Sequence, residues 1–161
     1  MKNNYLFSSL LVITASMLFS GCLIFHHITY DVKLDTPTSG IAEITAYDMR
    51  SDAKNKSELE QDKKNLFQHM LKSNEFIKEQ KESGKYIIDR KLYVEDGRLI
   101  GNGSYKFDDI SAVEGIKYES GFHYLNLGLD DSVLSTNGEI IHSKEYKRIV
   151  WDSTFQELKF T

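Results

Sequence analysis

General acid/base chemistry needs two titratable groups held in one cleft, and the densest candidates in this chain are the adjacent carboxylates Asp108-Asp109 and Asp130-Asp131. Both pairs fall where turns are expected. An aspartate at a turn accepts hydrogen bonds from nearby backbone amides, so capping accounts for them without catalysis. Calcium would require a spaced series of further oxygen ligands, which neither pair has. His26 and His27 are neighbours; neighbouring residues of an extended chain point to opposite sides, so the pair is not expected to close on one metal ion. His69 falls in a helical pattern and His123 and His142 in strand patterns, without metal-ligand spacing. No serine stands in a Gly-x-Ser-x-Gly setting. Gly101 and Gly103 lack the third glycine and the Lys-Ser/Thr step of a phosphate loop. Trp151-Asp152 reads as a packing anchor followed by a strand stop. No catalytic residue, metal or cofactor is expected.

The whole chain has 161 residues, enough for one domain. Its 40% apolar and 27% charged fractions are those of a globular protein. A formal net charge of -4 argues against nucleic acid as a partner, because displacing counterions from a phosphate backbone needs a basic face. The single cysteine, Cys22, can form neither an intrachain disulfide nor a thiolate zinc site.

Residues 1-21 differ from all that follow. Lys2 precedes an apolar run from Tyr5 to Phe19, and Ser20-Gly21 then leads to Cys22. That is the charged start, apolar middle and small-residue end of a signal peptide. The string Leu18-Phe19-Ser20-Gly21-Cys22 resembles the lipobox of bacterial lipoprotein precursors, with Phe19 standing where leucine is usual. The resemblance implies cleavage between Gly21 and Cys22, a diacylglyceryl thioether on the Cys22 sulfur, and acylation of the new amino group. The alternative is an uncleaved spanning helix over Tyr5 to Phe25, which carries no charge but contains five hydroxyl residues. Either way Lys2 holds the start in the cytoplasm, so the body is expected to be extracytoplasmic and membrane-anchored. Leu23 rather than aspartate after the cysteine resembles cargo passed to the outer membrane where a cell has two.

Residues 22-27 form a short tether, with no Ser/Gly-rich linker. Five extended residues reach roughly 17 Å, so the body should sit against the lipid headgroups. A single domain, 28-161, follows. Ile28, Tyr30, Val32 and Leu34 alternate as in a strand with one buried face, and Thr36-Pro37-Thr38-Ser39-Gly40 turns the chain into a second strand, Ile41 to Tyr47. Ser57-Glu58-Leu59-Glu60 matches a capping box opening one long helix. Leu59, Leu66, Phe67, Met70, Leu71 and Ile77 form its apolar stripe, and Gly84 ends it near Ser83. From Lys85 the period is two: Tyr86 to Val94 and Arg98 to Phe107 flank an Asp96-Gly97 hairpin turn. Phe107 to Val113 is expected to turn with a short helical segment. Further short strands are expected over Phe122 to Leu129, Ser132 to Thr136, Glu139 to His142, Arg148 to Trp151 and Phe155 to Phe160, with Asn137-Gly138 as a hairpin turn.

The expected fold class is α+β: an antiparallel sheet of about six to eight strands with one long amphipathic helix packed on a face, in two layers. This order, on a short lipid tether, resembles the LppM-type domain of bacterial lipoproteins in layout over about 130 residues, which implies a surface-held module without established catalysis. The expected function is a non-catalytic, lipid-anchored envelope lipoprotein whose partners are the membrane, through acylated Cys22, and an envelope protein. The alternatives are a carrier or binder of a hydrophobic small molecule and an envelope hydrolase. An apolar cavity of several hundred Å³ would mark the carrier, and a solid interior the interaction module.

Overall fold

A computed structural model describes residues 23–161. Residues 1-21, expected to be a signal peptide ending at Gly21, and Cys22, expected to carry lipid, lie outside the described residues. In chain order the strands are β1 (Leu23–Ile24), β2 (His27–Thr36), β3 (Ser39–Tyr47) and β4 (Arg50–Ser51). Two helices follow, α1 (Lys56–Phe67) and α2 (Asn74–Glu82), separated by a π-helical turn, Gln68–Lys72. Then come β5 (Lys85–Glu95), β6 (Arg98–Phe107), β7 (Lys117–Glu119), β8 (Phe122–Leu127), β9 (Glu139–His142), β10 (Lys147–Trp151) and β11 (Glu157–Phe160).

The strands make two antiparallel sheets and a small appendage. The five-stranded sheet has the order β11-β2-β3-β6-β5, the four-stranded sheet β7-β8-β10-β9, and β1 pairs with β4. Alternation of apolar residues fixes which faces meet. In the larger sheet, Leu158, Val32, Ala42, Tyr105 and Ile87 stand in register across all five strands. Four of the five are buried, and Ile87 packs against them. From the smaller sheet Leu125 and Ile149, paired in register, complete the same core, and the Trp151 ring lies 5.9 Å from Phe160 of the larger sheet. The result is a sheet-on-sheet sandwich.

The expectation of one sheet covered by one long helix is therefore corrected: the described structure is 48% strand and 21% helical, with two main sheets of five and four strands. The face assigned to a helix is covered mainly by the second sheet. The expected helix breaks at Ser73, where the backbone is extended (φ -78°, ψ 132°) and the hydroxyl accepts from the amides of Glu75 and Phe76, starting α2 afresh. α1 likewise starts two residues earlier than the capping box implied, on Asn55, whose side chain accepts from the Glu58 amide at 2.9 Å. Restarting the helical phase at Ser73 splits the apolar stripe. Asp62 and Leu66 are buried, whereas Phe67 and Ile77 face solvent. α2 packs beside β5, where the Arg90 guanidinium sits over the Phe76 ring and donates to the Ser73 carbonyl at 3.2 Å.

The Asp96-Gly97 hairpin forms as a two-residue turn with both φ positive (48° and 76°), the geometry that matches strand twist. Gly40 lies within β3 rather than in the preceding turn. A Cβ there would fall 2.0 Å from the Lys33 carbonyl oxygen, so the close approach of β2, at its bulge between Leu34 and Thr36, requires glycine. Ser132 to Thr136, expected as a strand leading into an Asn137-Gly138 hairpin, instead runs beside the end of β11. Leu134 donates to Thr161, Thr161 donates to Ser135, and Thr136 bridges Phe160.

Candidate functional site

Between the two sheets, beside the start of β2, lies an open cleft of about 500 Å³. Its walls follow from strand alternation. β2 contributes Ile28 and Tyr30, β8 contributes Leu125 and Leu127, and β10 contributes Ile149. The segment after β8 closes one side with Val133 and Leu134, held by the hydrogen bonds between Leu134 and Thr161 (2.8 Å) and between Thr161 and Ser135 (2.9 Å). Phe160 of β11 completes the wall, its ring stacked on Tyr30 with centroids 4.5 Å apart.

Polar side chains share the lining: Asn126, Asp131, Ser132 and Thr161 as well as Glu114. Glu114, held at a φ of 50°, reaches the cleft beside the Tyr30 hydroxyl. Burial, and then the adjacent Glu114 carboxylate, push the Tyr30 phenol far above its ordinary range, so Tyr30 stays a neutral donor. Burial does the same to Tyr105, with Glu114 again adding to the effect. The Lys85 ammonium lies 4.0 Å from Glu114 and over the Tyr105 ring. A neutral phenol and a carboxylate thus line the cleft, with the Lys85 ammonium beside the carboxylate. They can orient one polar group of a ligand.

At the mouth stand His26 and His27. The expectation that they point apart is corrected: His26 lies at a bend before β2, and the two Nδ1 atoms are 2.9 Å apart, within hydrogen-bond distance. His27 also stacks on Tyr47, centroids 4.5 Å apart. Among the described residues no group of three His, Cys, Asp or Glu side chains converges as metal ligands. His123 is buried with Nε2 against the Pro37 carbonyl at 2.6 Å, His69 lies 3.7 Å from Glu79, and His142 is exposed on β9.

The acidic pairs are placed at turns. Asp109 caps a short 3-10 turn, Ile110–Ala112, by accepting from the Ser111 amide at 2.8 Å, and that bond holds its carboxyl below the ordinary range. Asp131 accepts from the Gly128 amide at 2.6 Å. Trp151 is fully buried, and Asp152 caps the next turn through Thr154.

A second cleft of about 540 Å³ opens between α1 and the strands at the same end of the molecule, lined by Met49, Leu66 and Leu99 with Asp62 among them. Asp62 is buried and accepts from the Ser51 hydroxyl. From the sequence, Asp62 and Glu114 receive no role and Tyr30 is placed only on the buried face of a strand. The missed signal for Asp62 was its i, i+4 relation to Leu66.

Compared with models of known families, with curated proteins and with solved structures, the chain finds no significant match in any of the three.

Proposed function

We propose that this chain is a lipid-anchored, extracytoplasmic envelope protein without catalytic activity, and that it binds an apolar small molecule in the inter-sheet cleft. The observation that carries the binding reading is that cleft, about 500 Å³, walled by Ile28, Leu125, Leu127, Val133 and Phe160. Its size falls within the range of small-molecule sites, roughly 300–1,000 Å³, whereas a module that only presents a surface needs no internal space. Tyr30 and Glu114 give the ligand one polar foothold. The anchoring reading rests on the lipobox-like Leu18 to Cys22, and Leu23 favours the outer membrane in a two-membrane cell.

The test is titration of the purified protein with the apolar dye 1-N-phenylnaphthylamine, followed by its fluorescence. Ile28→Trp, which fills the cleft from β2, should weaken binding by at least about tenfold, a difference of ~1.4 kcal/mol. Saturable binding that Ile28→Trp leaves unchanged in a folded variant, or no binding to the natural chain, refutes the site.

A further inference from the structure

We infer that the end of the body carrying β1, β4 and the β5–β6 turn is inserted into the surface of the lipid leaflet, with Ile24, Phe25 and Val94 as its apolar tips. This rests on the proposed lipid anchor and goes beyond it by fixing which end of the fold meets the membrane. The argument starts from where the undescribed chain joins. Residues 1–22 enter the fold at Leu23, and Leu23 and Ile24 are not a free linker: they pair in register with Ser51 and Arg50. An acylated residue 22 is therefore one residue, about 3.8 Å of chain, from a strand fixed to the body.

The same end gathers the other components. The Met49 amide donates to the Leu99 carbonyl at 2.8 Å, tying the start of β4 to the start of β6, and Leu99 stands opposite Val94 on β5. Ile24 (53% exposed) and Val94 (67%) are thus presented at one end by paired strands, and Phe25 (40%) follows directly on β1. Rigid strands keep apolar side chains in water at a cost that burial in the acyl boundary removes, roughly 25 cal/mol per Å². Charge does not drive the contact: exposed Arg50 is paired with Asp48, and Glu95 and Asp96 at the β5–β6 turn outnumber Arg98 beside them. Insertion is therefore apolar, and it should persist in zwitterionic lipid.

The experiment exploits the single natural cysteine, which acylation would occupy. Full-length lipoprotein carrying Val94→Cys is labelled with the environment-sensitive dye NBD and reconstituted into phosphatidylcholine vesicles. Ile88→Cys serves as the control: Ile88 is 59% exposed on the same strand and about 20 Å back from Val94. Insertion predicts a several-fold rise in emission and loss of iodide quenching at position 94 and neither change at 88. Equal, water-like emission at both positions on protein that floats with the vesicles overturns the docking while leaving the anchor intact. Protein that does not float, with Cys22 itself taking the dye, overturns the anchor and the docking with it.

Discussion

Replacing Gly138 by alanine tests the join between the two sheets. A Cβ at this position would lie 2.6 Å from Trp151 Nε1 and 2.7 Å from both Trp151 Cε2 and Ile149 Cγ2. None of those atoms is the free end of a flexible side chain at the surface, because Trp151 and Ile149 are wholly buried. Relief of the clash requires the indole to move, and the indole donates to Asn137 Oδ1 at 2.8 Å. That oxygen also accepts from the Lys159 amide at 2.8 Å, so a shift at Trp151 disturbs the edge of β11 as well. Overpacking of this kind costs about 1–3 kcal/mol. A weakened hydrogen bond adds about 1 kcal/mol, for an expected loss of roughly 2–4 kcal/mol. For a domain of this size each kcal/mol moves the midpoint by about 3–5 °C, so Tm should fall by roughly 6–20 °C. Trp151 is the only tryptophan, so its own fluorescence reports both the local displacement and the urea transition. A change below about 0.5 kcal/mol, within the range of an ordinary surface substitution, refutes the account of how the sheets join.

Three further outcomes are expected. Ser51→Ala removes the hydroxyl that donates to buried Asp62, and urea denaturation should show a loss of about 1–3 kcal/mol. The Asp109 carboxyl is held below its ordinary value by the Ser111 amide, so its contribution is present at neutral pH and is lost as pH falls below about 3.8 toward the lowered folded value; Asp109→Asn should flatten the stability profile in that window and leave its neutral limb nearly unchanged. A clickable palmitate analogue fed to the host should label the natural chain and not Cys22→Ala, and equal labelling of both contradicts the anchor.

What the sequence disclosed and what it hid divide along the range of the interactions. The Asp96-Gly97 turn was readable because two adjacent residues supply both positive φ angles. The alternation through Val32 and Leu34 likewise marked the buried face of β2. The helix was misread because its period seemed continuous across Ser73, although Ser73 followed by Glu75 is itself a start signal whose side chain caps α2. The second sheet was hidden for another reason. β7, β9 and β10 are three to five residues long, too short to show whether they extend the first sheet or form another. The cleft could not be read at all, since Ile28 and Leu125 come together only when two sheets pack. The histidine pair escaped because the bend at His26 breaks the alternation of an extended strand.

The most direct measurement is native mass spectrometry of the full-length protein extracted from its host membrane in mild detergent. The account predicts a chain beginning at Cys22 with acyl mass attached covalently, together with a non-covalent apolar adduct that Ile28→Trp removes. A mass showing residues 1–21 intact, no added acyl groups and no adduct would contradict it.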